Sequence, residues 1–397
     1  MIRKLILIFI VISLIFLTGC WDRKEPENRA LVTVGAYDYN PDTDMYQIIT
    51  QIESPQSAQG GNGDGGGGGD KPSFWKVSAW GDTPTDAISN IRKKVSRDLH
   101  YGHLNLLIIS EEMAKTEGIV TVMDTLARSR QSRPIVQIAV AEGDVNKMLN
   151  QEFPIEISSG LGLLKQIQLT RRESGTAITQ TGRKFLNRLS TPGIEPVAVN
   201  LALLEEDIDA SKPDTPPFVQ VKGLTAFYKD KFAGRLNDTE ARGWNWISNQ
   251  EARGVMEFTY PENKNTVVSA NTRRISCNII PYIKNNNPEI KIELEVEGKI
   301  DSITGLNQFK EKSGLTQSME NRLAEAVRND IKKGINKAQS FKSDIFGFGN
   351  SFYRLKYDKW VEIEKEWPEI FATLPVNIEV KASIKRSGLV NKGLEIK

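Results

Sequence analysis

Cysteine and histidine are scarce in this chain, with two of each among 397 residues. Cys20 and Cys277 are too few for any cysteine-rich metal site. If Cys20 is modified, Cys277 has no partner and no disulfide forms within the chain. Cys277 lies between Ser276 and Asn278 in an expected strand, where it reads as a small buried residue. His100 and His103 stand three apart, a spacing that puts both on one side of a helix end. A metal there would need a third ligand and outer partners, and Asp98 and Glu111 nearby show no metal spacing, so a structural role is expected. No Gly-x-Ser-x-Gly elbow occurs. The acid pairs Glu111-Glu112 and Glu205-Glu206 are adjacent residues on solvated surfaces and form no glycosidase dyad. The expectation is a chain without catalytic residues, metal or cofactor.

An excess of one charge is also missing. The formal charge is +2, and Arg3 and Lys4 supply it within a first stretch of nineteen residues that has no acid. The remainder balances at 50 basic and 50 acidic residues, which is 52 less those two against 50. A neutral body has no global field for nucleic acid, so no nucleic-acid partner is expected. Hydrophobic residues at 39% and charged residues at 26% describe a globular body.

No apolar run is long enough for a comfortable transmembrane helix. Leu5 to Phe16 is broken only by Ser13, and it falls short of the roughly 20 residues that a hydrocarbon core requires. Behind Arg3 and Lys4 it has the pattern of a secretory signal. It ends in Leu17-Thr18-Gly19-Cys20, the pattern of a lipobox. Residues 1–19 are therefore expected to be a lipoprotein signal peptide. Cys20 would carry diacylglycerol and hold the mature chain to the outer face of a membrane, where stable anchoring generally takes two acyl chains. Trp21 either sits at headgroup level or packs on the body.

Periodicity predicts a mixed α and β body. Strands are expected at Ala30 to Ala36, Met45 to Ile52, Trp75 to Trp80, Leu104 to Ile109, Ile135 to Ala141 and Val197 to Leu204. Thr83-Pro84-Thr85-Asp86 opens a helix with Ile88, Ile91, Val95 and Leu99 on one face. Further helices are expected at Glu111 to Arg130, Ser158 to Arg172 and Thr179 to Leu189. The glycine run Gly60 to Gly69 lacks a Gly-Lys-Ser/Thr ending and is followed by Lys71-Pro72, so it reads as a flexible loop rather than a phosphate cradle. Asp207 to Pro217, polar with three prolines, reads as a linker.

Beyond the linker, Val219 to Tyr228 and Phe232 to Leu236 form an expected hairpin, followed by a short helix carrying Trp244 and Ile247. Strands are expected at Thr266 to Ile283, bent or bulged, and at Glu289 to Ile300, which alternates apolar and charged residues. The longest helix is expected at Leu315 to Phe341, with Met319, Leu323, Val327, Ile331 and Ile335 buried. A helix near Asp358 to Glu366 and a strand at Val376 to Arg386 complete the pattern. The fold class expected is α+β: an N-terminal α/β domain over 20–206, a linker at 207–217, and a C-terminal α+β domain over 218–393. In the latter, the long helix packs on a mainly antiparallel sheet. Asp344 to Gly349, with two phenylalanines and two glycines, reads either as a docking loop or as a hinge that packs the long helix on the sheet.

These residues resemble the Ger(x)C lipoproteins of spore germinant receptors. The resemblance starts at Gly19-Cys20-Trp21-Asp22 and is dense over His100-Tyr101-Gly102-His103-Leu104, Ile108 to Ala114, Gly118-Ile119 and Asp124 to Arg128. It resumes at Lys222 to Phe227, Gly234 to Asn237 and Arg242-Gly243, and ends with Asp344 to Gly349, Trp360, Trp367 and Val376 to Gly388. The Gly60 to Gly69 run departs from the pattern. The resemblance implies the C subunit of a receptor in the spore inner membrane, working beside integral membrane A and B partners. It carries over Cys20 alone as a functional residue. Two other classes stay open: a solute-binding lipoprotein that captures germinant between its domains, and an envelope enzyme.

Overall fold

The computed structural model describes residues 2–3, 29–53, 74–129, 131, 133–151, 153, 155–156, 158–204, 218–248, 252–261, 263–304 and 315–385. The expected leader apart from residues 2–3, Cys20, Trp21, the Gly60 to Gly69 run and the expected 207–217 linker lie outside these residues.

Two sheets organise the chain. The first contains β1 (Arg29–Asn40), β2 (Met45–Glu53), β3 (Phe74–Gly81), the short β4 (Asp98–His100), β5 (Leu106–Ser110), β6 (Gln137–Glu142), β7 (Val197–Leu204), β8 (Phe218–Tyr228) and β9 (Lys231–Leu236). Its order is β3-β2-β1-β5-β6-β7-β8-β9, with β4 paired to the start of β1. β1, β5, β6 and β7 run parallel at the centre, and antiparallel strands flank them on both sides. The parallel centre explains the unbroken apolar runs. Leu106 and Ile108 feed one core while Leu107 and Ile109 feed another, because both faces of a parallel sheet are covered.

One face is covered by α1 (Pro84–Arg92), α2 (Glu111–Thr116), α3 (Val120–Arg128) and α6 (Gly182–Ser190), through Ala87, Ile91, Met113, Val122, Met123 and Phe185. The other is covered by α4 (Val145–Met148) and α5 (Ser159–Glu173), through Val145, Met148, Leu163 and Ile167. Apart from Ala87, each such buried apolar side chain stabilises by about 1.5–3 kcal/mol relative to exposure. The caps follow the sequence. The hydroxyls of Thr83, Ser110, Ser158 and Thr181 accept backbone N–H groups of the first turns of α1, α2, α5 and α6.

After α7 (Asp238–Ser248) comes the second sheet: β10 (Arg253–Tyr260), β11 (Asn263–Lys284), β12 (Asn287–Thr304) and β13 (Val376–Lys385). The order is β10-β11-β12-β13, antiparallel except for the parallel β12–β13 pair. β11 carries the expected irregularities, with register shifts at Ser269/Ala270 and Arg274/Ser276. The long α8 (Leu315–Ser340) buries Met319, Leu323, Val327, Ile331 and Ile335. It crosses α7 closely: a Cβ added at Gly243 would stand 2.1 Å from the carbonyl oxygen of Asp330. α9 (Phe348–Leu355), α10 (Tyr357–Ile363) and α11 (Trp367–Thr373) follow α8. One apolar core joins Val34, Ile108 and Val199 of the first sheet to Phe258, Ile292 and Val296 of the second. The fold is a mixed α and β architecture in two domains.

Several expectations shift. β1 continues through Tyr37 and Tyr39, both buried, and the turn is confined to residues 41–44. Leu99 lies on β4, because α1 ends at Arg92. The expected helix from Glu111 to Arg130 is split where Gly118 adopts φ +80°, and a Cβ there would meet the Asp230 carboxylate at 2.5 Å. β4, α4, β10 and α9 add to the elements that periodicity predicts, and the helix expected near Asp358 to Glu366 is α10, a 3₁₀ turn at 364–366 and then α11. The 207–217 linker falls between two neighbouring strands of one sheet, since β7 pairs with β8 from Val197↔Ala226 to Leu204↔Phe218.

Candidate functional site

A dense polar constellation lies where the two domains meet. Asp344 follows the last turn of α8 and is buried. Its Oδ1 accepts the N–H groups of Gly347 and Phe348 at 2.8 and 3.1 Å, and its Oδ2 accepts those of Gly349 and the Trp367 indole at 2.7 and 3.0 Å. The carboxylate thus gathers the start of α9 and one end of α11. Burial pushes its pKa up to about 6, while the four donors pull it back.

Two first-domain residues complete the cluster. Arg188 of α6 is half-buried and donates to the carbonyl of Ile345 at 2.9 Å, with its guanidinium 5.4 Å from the Trp244 ring centre. Trp244 donates to the same carbonyl at 2.8 Å. Burial lowers the Arg188 pKa to about 10, against the opposing pull of Asp344 and Glu195. Glu195 accepts the Lys229 backbone N–H at 2.6 Å, and its own N–H donates to the Asp344 carbonyl. Desolvation raises Glu195 to about 7. Every one of these groups is spent on packing, so Asp344 to Gly349 works as a structural clasp. Its partners Arg188 and Glu195 lie some 150 residues earlier, where only their pairing in space reveals them.

The two histidines do not share a helix. His100 ends β4 and His103 ends a 3₁₀ turn, with ring centres 6.0 Å apart. Burial, with Arg29 and His103 nearby, lowers the His100 pKa. No group of three His, Cys, Asp or Glu among the described residues is placed to hold a metal ion. Cys277 is half-buried, and desolvation raises its pKa, the reverse of what a nucleophile needs.

Two hollows remain. A groove of about 410 Å³ between α1 and α3 is lined by Tyr37, Arg92, Tyr101, Arg128 and Gln131. The Tyr101 hydroxyl is buried there without a hydrogen-bond partner among the described residues, and desolvation pushes its pKa up to about 12. A cleft of about 640 Å³ runs between the end of α5 and the second sheet. Its charges are largely satisfied: Arg172 pairs with Glu173, Arg273 with Glu297, and Arg274 donates to the carbonyls of Trp246 and Ile247. No helix among the described residues is long and apolar enough to cross a membrane.

Two family models match in series, one described as a spore germination protein N-terminal domain over residues 22–203, the other as "Spore germination B3/ GerAC like, C-terminal" over residues 222–388. Spore germination protein KC of Bacillus subtilis (strain 168) is 27% identical, covering 100% of this chain and 98% of its own. Spore germination protein GerQC of Bacillus cereus is 22% identical over 96% and 98%. The crystal structure of the GerBC protein superposes with a TM-score of 0.55 at 16% identity, over 89% of this chain and 97% of that one. That likeness speaks for the fold alone.

Proposed function

Since this chain belongs to the Ger(x)C family of spore germination proteins, we propose that it is the non-catalytic C subunit of a nutrient germinant receptor. It is anchored by lipid on Cys20 to the outer face of the spore inner membrane and works beside integral membrane A and B partners. The observation that carries this reading is the pair of family models, which follow one another over nearly the whole chain. The packed clasp around Asp344, with each polar group already engaged, supports a scaffold rather than a catalyst. The gap between the two family matches falls around 207–217. We take that stretch as the boundary of the family units and not of the first sheet.

The test is direct. Lipid labelling and mass spectrometry of the mature polypeptide should find acyl chains on Cys20. Cys20→Ala should abolish the label and reduce germination through this receptor. Purification from spore inner membrane should bring two integral membrane proteins along. An unmodified thiol on a freely diffusing protein would sink the proposal.

A second reading, direct capture of germinant between the domains, draws on the cleft between α5 and the second sheet. Saturable heat release on titrating germinant into the protein would support it.

A further inference from the structure

The balance of 50 basic and 50 acidic residues from residue 20 onward conceals a polar molecule. β1 enters the first sheet at Arg29, nine residues after Cys20, and nine residues reach at most about 30 Å. The anchor therefore tethers one particular end of that sheet. Register shows what else is there. Arg29 pairs with Asp98 and Leu31 with His100. Val32 faces Ile52, which faces Trp75 at the start of β3. Asn105 donates to the Thr33 carbonyl and Gln137 to that of Asn105, which brings the starts of β5 and β6 to the same end. Arg183 at the start of α6 donates its N–H to the carbonyl of Pro134, so the 133–136 turn and α6 meet there too.

These segments are basic. Arg92, Lys93, Arg97, Arg133 and Arg183 are exposed and Arg29 is half-buried, whereas the acids on the same segments are Glu53 and Asp98. Two large apolar side chains stand out among them, Trp75 at 46% and Ile135 at 63% exposure. The opposite end of the sheet, joined through Tyr39↔Tyr46↔Gly81, carries Asp42, Asp44, Asp82 and Asp86.

We infer that the end of the first sheet carrying Arg29, Arg97, Arg133 and Arg183 is a docking face for an anionic phospholipid bilayer. Basic side chains near such a surface bind its negative potential, and a tryptophan suits the headgroup zone. The acidic end then points away from the bilayer. The lipid on Cys20 supplies attachment, and this face sets orientation. The inference rests on the reading of Cys20 as the anchored residue, because that reading places this end beside the membrane.

The experiment removes the lipid so that the two ideas fail separately. The chain from residue 20 with Cys20→Ser is mixed with vesicles of 60% phosphatidylcholine and 40% phosphatidylglycerol at low salt. It should cosediment with them, but not with pure phosphatidylcholine, and it should be released by 0.5 M salt. Combining Lys93→Glu, Arg97→Glu, Arg133→Glu and Arg183→Glu should lower the partition coefficient at least tenfold. The matched set Lys284→Glu, Lys356→Glu, Lys365→Glu and Lys381→Glu, all at exposed sites on the second domain, should change it less than twofold. Unchanged thermal melts verify that both variants fold, and the salt release of the parent chain needs no variant. No cosedimentation of the parent, or equal loss in the two sets, overturns the inference whatever lipid labelling of Cys20 shows.

Discussion

The carboxylate of Asp344 accepts the indole N–H of Trp367 at 3.0 Å, in a site where both side chains are buried. That bond, with three backbone N–H groups on the same carboxylate, fastens α9 and α11 to the end of α8.

Asp344→Ala strands four donors at once. Leaving a buried donor unsatisfied costs about 1–3 kcal/mol, and the four share one site, so a total loss of about 3–5 kcal/mol is expected. Asp344→Asn keeps the oxygen acceptor and should lose less. Urea unfolding of the three proteins checks the order.

Gly193 holds the other side of the clasp. It sits at φ +68°, its carbonyl accepts the N–H of Asn350 at 2.8 Å, and a Cβ would stand 2.4 Å from the backbone of Gly349. Gly193→Ala combines left-handed strain with a backbone clash, and more than about 2 kcal/mol should be lost. Gly193→Ala in an Asp344→Ala background should cost less than the sum of the single changes, because both act on one contact. A double-mutant cycle measures this.

Stability should depend on pH through Asp344 and Glu195. Folding raises their pKa values to about 6 and about 7, from ordinary values near 3.8 and 4.5. Between those limits the folded state binds more protons than the unfolded one. The stability they contribute is therefore whole below about pH 4 and is lost as pH rises through 6 to 7. Glu195→Gln should flatten that decline over pH 5–7. Urea midpoints at half-unit pH steps for both proteins test the sign.

Tyr101 offers a contrasting case. Its hydroxyl is buried at the groove without a hydrogen-bond partner among the described residues, so Tyr101→Phe removes an unpaired polar group rather than a bond. The melting temperature should hold or rise slightly. A fall of several degrees would mean that the hydroxyl is engaged.

Legibility in the sequence followed the strength of local pattern. β12 was plain because Ile290, Ile292, Leu294 and Val296 alternate with lysine and glutamate. β10 alternates equally well, burying Gly254, Met256, Phe258 and Tyr260. Yet the exposed Val255 and buried Gly254 invert the usual assignment of sides, which masks the period. α9 starts at Gly347 in a left-handed conformation with no side-chain cap of its own. The Asp344 carboxylate three residues earlier supplies what the first turn lacks. Asp344 to Gly349 stood out as a segment, but nothing near Arg188 or Glu195 marked them as its partners. The basic end of the first sheet was likewise invisible, because its charges come from residues 29, 92–97, 133 and 183, far apart in the chain.

The pairing of β7 with β8 bears on how the protein is made. A polypeptide is synthesised from its amino end, and by residue 204 the parallel centre of the first sheet is present, but β7 still shows an open hydrogen-bonding edge. Such an edge recruits any passing strand. Only when residues 218–236 have followed is it sheathed by β8 and β9. The amino-terminal family unit is thus unfinished by itself, and fragments that stop at the linker should clump unless the next hairpin is supplied in trans.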